Sequence, residues 1–479
     1  MLFNSIHFLV FFGVVATLYY ALKHKYRWIL LLIASLYFYM SWKAEYVVLI
    51  VFSIFVCYLS ARYIQDGKNQ KLRKFFLVLS LVVNFGILFA FKYFNFFSLS
   101  ISQFLQKYSI QFSPIMLKIL LPVGISFYTF QALSYVVDVY RKQMKAEKHF
   151  GIFALYITYF PQLVAGPIER SGNLLPQFKE KHCFNFRNTI DGLQLMAWGF
   201  FEKVVIADRL AKVVDMIYGD VTYYTGIPLI LATVFFAFQI FCDFSGYCNI
   251  ATGAAKIMGI NLMENFRRPY LSKSITEFWK RWHISLSTWF KDYLYFPLGG
   301  NRVSKPRWMF NIFLVFLVSG IWHGANYTFM LWGVLHGFYM IISAVSVNAR
   351  EKITGWIGLK KITKIHSSLK IIITFILVDI GWVFFRANNI HDVIYIFTHL
   401  FPIALKFHGI NIGLDWTDLI IAICSIVVLM TVHIVQEYYD TKKFFEKHLW
   451  IKWIIYIILI LCILLFGVFK NRAFIYFQF

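Results

Sequence analysis

The sequence predicts an all-α polytopic membrane protein. About 11–12 transmembrane helices, with re-entrant and interfacial helices among them, would form one membrane-embedded domain. Three observations lead there. Apolar runs of about 20 residues recur from end to end, long enough to cross a hydrocarbon core of about 30 Å. Of the 479 residues, 59% are hydrophobic and 20% aromatic, more than a soluble domain carries. The formal net charge of +24 sits in short loops between the apolar runs, a pattern that orients a chain in a membrane and offers no continuous tract to nucleic acid. Six cysteines, Cys57, Cys183, Cys242, Cys248, Cys424 and Cys462, form no C-x-x-C pair, so neither a disulfide frame nor a metal site is indicated. No P-loop, HExxH, GxSxG or GxGxxG stands where ATPase, metalloprotease, serine hydrolase or dinucleotide chemistry would need it.

The first apolar run has no basic leader and no A-x-A cleavage site, so it is expected to stay as the first transmembrane helix. Runs at 2 to 22, 28 to 42, 46 to 64, 75 to 97 and 115 to 139 alternate with basic loops at 23 to 27, 66 to 74 and 141 to 149. The positive-inside rule makes those loops cytoplasmic and the N-terminus external. Residues 1–140 are thus N-terminal helices, 150–347 a central core, and 350–479 C-terminal helices with an external tail. Residues 150 to 168, interrupted by Pro161, Gly166 and Pro167, read as re-entrant, since broken backbone at membrane depth must be buried in protein or line a wet cavity. A tight surface turn between two short helices is the alternative. Runs at 188 to 216 and 227 to 257 follow as spans. The loop from Lys256 to Arg307 holds ten basic residues and is expected in the cytoplasm. Further spans are expected at 367 to 386, 416 to 438 and 450 to 469.

Between Glu277 and Gly337 lie His283, His323 and His336. Imidazole takes and returns a proton near neutral pH, and an ionisable group at membrane depth is a functional candidate by default. Ser274 and Glu277 fit a capping box opening a helix that Pro297 would end, with His283 on its aromatic face; His283 could equally be an interfacial histidine. From Trp308 to Gly320 is about 20 Å of helix, short of a crossing, so a turn bracketed by Gly320 and Gly324 would set His323 at its apex. On a continuous helix His336 would be rotated about 220° from His323, so the two need not share a metal. A core histidine bonded to a carbonyl is the alternative for His336. The C-terminal KNRAFIYFQF inserts into protein or anchors at the headgroups, and Tyr476 is its only hydroxyl.

Several long stretches, in one order, resemble a known family: LPVGISFYTFQALSYVVDVYR, YFPQLVAGPIER, FCDFSGYCNIATGAAKIMGI, FWKRWHISLSTWFKDYLYFPLGGNR and SGIWHGANYTFMLWGVLHG. They are similar to the membrane-bound O-acyltransferases, in the bacterial branch that O-acetylates polysaccharides. The resemblance implies a helical acyltransferase with a tunnel from a cytoplasmic donor pocket to an external acceptor face, in a bacterial cytoplasmic membrane. Its near-invariant histidine falls on His323 and its second polar position on His283, with His336 beside them as a third catalytic candidate. Trp282, Trp322, Asp243 and Ser245 would line the tunnel. Tyr476 falls on a C-terminal aromatic motif proposed to carry the acyl group. Acetyl-CoA would be donor substrate, its phosphates held by Arg267, Arg268, Lys280 and Arg281, with no tightly bound cofactor. A separate periplasmic or extracellular transferase and a polysaccharide acceptor would be partners. A long-chain lipid or protein acyltransferase and a histidine-bearing transporter remain alternatives, although a transporter would be expected to show inverted repeats that the chain lacks.

Overall fold

A computed structural model describes residues 1–401, 412–469 and 472–475. Among these residues every regular element is helical. Seven helices are long and apolar enough to cross a membrane: Ala44–Asp66, Gln70–Gln106, Ile227–Ile257, Tyr327–Val345, Thr363–Arg386, Trp416–Tyr438 and Leu449–Phe466. Ile6–Ala21 is apolar but shorter. The chain divides into two compact units, Met1–Met196 with Tyr247–Met263, and Ala197–Gly246 with Glu264–Ile475.

In the first unit, the run expected to span at 115 to 139 is helical only over Ile125–Tyr140. Pro122 removes a donor and Gly124 takes a left-handed φ of 76°, so the helix starts there and the apolar residues before it are not helical. The interrupted segment forms a helix over Phe150–Thr158 and then a run of turns. Tyr159, Phe160, Leu163, Ala165 and Ile168 are all buried, which rules out the surface-turn alternative. The freed backbone is satisfied from within. Tyr156 O accepts from the side-chain amides of Gln131 (2.6 Å) and Gln162 (2.8 Å), and the Phe160 N–H donates to Ser35 Oγ (3.0 Å), as buried broken backbone requires.

The predicted span at 188 to 216 begins as the helix Phe186–Phe200, and within the second unit it passes into a π-helical stretch, Phe201–Ala207, and continues as Asp208–Gly219. The interruption carries Lys203, whose ammonium pairs with Asp208 (2.8 Å) and Asp243 (2.6 Å), all three buried. Removing Lys203, which would leave two buried carboxylates without their cation, costs about 3–5 kcal/mol.

The loop between Lys256 and Arg307 holds the largest departure from expectation. The helix opens as foreseen: Ser274 Oγ accepts from the Glu277 N–H (3.1 Å). It then stops at Arg281, and a second helix runs Ile284–Phe290. Trp282 and His283 form the break, so His283 does not lie on the face of one continuous helix. The helical spacing of the aromatic residues could not reveal a break that is built by backbone, not by Pro or Gly.

The segment after Arg302 is also longer than expected. The helix Lys305–His323 has 19 residues, about 28 Å at the standard rise, and Gly320 lies inside it. The chain turns at Gly324 and returns as Tyr327–Val345. Gly320 is no turn residue: a Cβ there would stand 2.3 Å from Phe329 O, and one at Gly333 2.4 Å from Phe316 O. The two glycines let the helices of this hairpin touch backbone to backbone, as small residues do between membrane helices.

Candidate active site

The hairpin and the helix break bring the three histidines together through aromatic rings. His323, the last residue of its helix, is buried between Trp322 (centroids 5.0 Å), Trp332 (5.0 Å) and Phe385 (5.2 Å). Trp322 also touches His283 (6.4 Å), and Trp332 touches His336 (4.9 Å). His323 and His336 therefore sit on different helices and meet at Trp332, so the rotation expected along one continuous helix does not apply. Phe244 stands edge-on to His283 (4.8 Å) and near Phe474 of the tail (6.4 Å). A continuous series of rings thus runs from the tail through His283, Trp322 and His323 to His336.

The polar surroundings of the histidines differ. His283 occupies the left-handed region with φ 44°, unusual for a residue with a Cβ and a frequent mark of a functional position. Asn265 Oδ1 accepts the Ser285 N–H (3.2 Å) and the Ser285 hydroxyl (2.9 Å), and the same oxygen lies 3.2 Å from His283 Nδ1. The Ser285 backbone donor fixes which end of the amide faces the ring. The proton shared with His283 is then on Nδ1, and Nε2 keeps its lone pair. Such a ring accepts a proton and does not donate from Nε2 to an oxyanion. His336 is fully buried against Trp279, Trp332, Phe316 and Tyr339, and neither of its ring nitrogens has a hydrogen-bond partner among the described residues. The carbonyl-bonded alternative is not what the fold provides. Gly381 makes the room, since a Cβ there would lie 2.7 Å from His336 Nε2.

Other expected site residues fall as follows. Trp282 is buried against Trp382 (4.9 Å) and Phe266 (5.0 Å). Ser245 Oγ donates to Glu202 (3.1 Å), and Asp243 is the ion-pair partner of Lys203. Arg268 and Arg281 share Glu437 (2.7 and 2.8 Å), Arg281 also pairs with Glu277 (2.6 Å), and Arg267 with Glu264 (2.5 Å). Lys280 is exposed with no ion pair among the described residues. Tyr476 lies outside the described residues; the tail up to it is buried at Phe474 and Ile475, which favours insertion over headgroup anchoring for that part. No group of three or more His, Cys, Asp or Glu among the described residues could hold a metal.

Lys203, Asn265, Glu437 and Trp332 were not singled out from the sequence. Lys203 had a signal, because Glu202, Lys203 and Asp208 are charges inside a predicted span. Asn265 had none, standing 18 residues before the ring it orients.

Residues 145–357 match the model of the membrane-bound O-acyltransferase family. A protein of Pseudomonas aeruginosa named "Probable alginate O-acetylase AlgI" is 40% identical over 398 residues, 81% of this chain and 73% of the relative. The chain belongs to the membrane-bound O-acyltransferase family. As a member it is a multi-pass membrane acyltransferase, and the transporter alternative gives way. A Helicobacter pylori peptidoglycan O-acetyltransferase is 35% identical over 368 residues, 71% of this chain and 67% of the relative. A Bacillus subtilis teichoic acid D-alanyltransferase is 28% identical over 281 residues, 56% of this chain and 69% of the relative. The three names concern alginate, peptidoglycan and teichoic acid. In this O-acyltransferase the family match spans both the helix break and the hairpin.

Proposed function

We propose that this O-acyltransferase takes an acetyl group from cytoplasmic acetyl-CoA and passes it through the membrane for O-acetylation of an alginate-like exopolysaccharide or of peptidoglycan, with His323 and His283 at the reacting centre. The observation that carries the reading is the shared contact of both rings with Trp322, in a buried aromatic setting that also borders the C-terminal tail through Phe244. Burial matters because an imidazole away from bulk water is a base toward whatever hydroxyl is brought to it.

Acetyl-CoA is too charged to cross the bilayer, so its phosphates stay on the cytoplasmic side. Lys280, with Arg267, Arg268 and Arg281, supplies the positive surface for them. The attacking hydroxyl gives its proton to His323 as its oxygen bonds the thioester carbonyl. The tetrahedral intermediate then expels the thiolate, and the imidazolium returns the proton to make CoA-SH. His283, its ring fixed by Asn265 at Nδ1, shapes the place of the hydroxyl by packing, since the hydroxyl's one proton goes to His323 and Nε2 has none to donate. With Tyr476 as the hydroxyl, the product is an acetyl-tyrosine on the external side. A partner transferase outside the membrane moves that acetyl to the polymer, so acetyl crosses while CoA does not. This places the protein in a bacterial cytoplasmic membrane with both termini external.

The test is donor turnover by purified protein in nanodiscs with labelled acetyl-CoA and intact-mass analysis. His323→Ala is expected to lower CoA release by about 10²–10⁴-fold, and Tyr476→Phe to abolish a C-terminal acetyl adduct seen in the wild type. CoA release unchanged in His323→Ala would remove the base assignment; an adduct absent from wild type would remove the relay.

A further inference from the structure

The relay has a mechanical requirement: the end of the tail must arrive at the reacting centre in one register. After the Leu449–Phe466 helix, residues 467–469 and 472–474 are not helical, and this stretch is fastened to the second unit at successive points. Arg209 Nη2 donates to Phe466 O (2.5 Å). The Val468 N–H donates to Val204 O (2.8 Å), a carbonyl inside the π-helical stretch where the ordinary helical hydrogen-bond register is interrupted. Arg472 pairs with Asp215 (2.7 Å). The Phe474 ring lies 5.4 Å from the Lys203 ammonium. Last, the Ile475 N–H donates to Asp243 Oδ2 (2.8 Å).

Asp243 is the informative member. Its two oxygens have different partners: Oδ1 takes the Lys203 ammonium and Oδ2 the Ile475 backbone. Lys203 already has Asp208 at 2.8 Å, so one buried carboxylate suffices to balance its charge, and a second is costly to bury without further work to do. That further work is the tail. The next residue, Phe244, packs on Phe474 and on His283, so two neighbours on one helix grip the tail and one of them borders a histidine of the candidate site.

We propose that Asp243 is a positioning residue for the C-terminal tail, fixing through the Ile475 N–H the register in which the chain enters residue 476. The proposal rests on the relay reading. A slip of one residue moves the following side chain by about 2 Å even at the 3₁₀ rise, and a misplacement of about 1 Å can cost about 10²-fold in rate.

The experiment uses the full chain in nanodiscs. It reads the rate of acetyl-adduct formation on the C-terminal peptide, KM for acetyl-CoA, and digestion of the tail by a carboxypeptidase. Asp243→Ala is expected to slow adduct formation by about 10²-fold, to leave KM within about twofold, and to open the tail to digestion. Asp208→Asn removes the other carboxylate on Lys203 and should leave the tail protected and the rate within about threefold. Arg472→Glu, which repels Asp215 at the rim and also removes a cation that acts on Asp208, should open the tail and slow the adduct with Asp243 itself unchanged. A tail as protected in Asp243→Ala as in wild type overturns the proposal, as does Asp208→Asn matching Asp243→Ala. Should Asp243→Ala fail to fold, Arg472→Glu with wild-type digestion and rate overturns it instead. A wild type with no adduct whose tail is still freed by Asp243→Ala would sink the relay and leave the positioning role standing.

Discussion

The Lys305–Val345 hairpin and the Ile275–Phe290 break each bring a histidine to Trp322, by opposite means. In the hairpin, close packing does it: Gly320 and Gly333 allow backbone contact, and rings close around His323 and His336. In the break, polar contacts do it. A left-handed residue, an asparagine and a serine set the tilt of His283. The first design tolerates no added volume and the second no lost hydrogen bond. A membrane acyltransferase can therefore fail at this one centre in two separable ways, by unfolding or by misaiming.

Gly320→Val tests the first way and should have the largest effect. Its Cβ would meet Phe329 O, and overpacking of this kind costs about 3 kcal/mol. A marked fall in Tm in detergent, with little folded protein recovered, is expected; wild-type stability would show that the hairpin is loosely packed. Asn265→Ala tests the second. The fold should persist while turnover drops about 10–100-fold, because His283 loses its orienting acceptor. A loss of stability as large as that of Gly320→Val would erase the contrast between the two designs.

The smallest effect sets a scale for polar contacts away from the centre. In the first unit Glu147 pairs with Lys179 (2.5 Å) and accepts from the Lys148 and His149 N–H groups (2.9 Å each). Burial pushes its carboxyl upward, but the Lys179 hydrogen bond and the two backbone donors win and hold it below the ordinary value. A carboxyl lowered in this way adds stability above its unfolded pKa of about 4.3, and that stability is lost as pH falls through the lower folded value. Lys179 is half exposed, so the contribution stays within about 1 kcal/mol. Tm measured against pH should therefore fall less steeply in Glu147→Gln than in wild type below about pH 4.3. Parallel curves would show that the pair adds nothing.

Much of the fold was legible because membrane spans announce themselves by composition. The helices Thr363–Arg386, Trp416–Tyr438 and Leu449–Phe466 fall within a few residues of the expected runs. What escaped was whatever composition does not encode. The apolar residues before Pro122 look like a span but are cut off by a proline and a left-handed glycine. Gly320 looks like a turn because glycine in sequence cannot tell a bend from a close approach. The stop at Trp282 lies inside an amphipathic pattern that continues on both sides, so periodicity runs straight across it. The site followed the same division. All three histidines could be named from their setting, whereas the ring contacts joining them and the Asn265 oxygen aiming one of them depend on distant segments.

The left-handed backbone at His283 has a practical side. An L-residue pays roughly 1 kcal/mol or more to sit there, and glycine almost nothing. His283→Gly would thus relax the main chain while vacating a ring-sized space lined by Phe244, Trp322 and the Asn265 oxygen. Free imidazole has the size and the N–H to fill it. This is the position at which a missing side chain can be handed back as a small molecule, turning the enzyme on and off by dialysis.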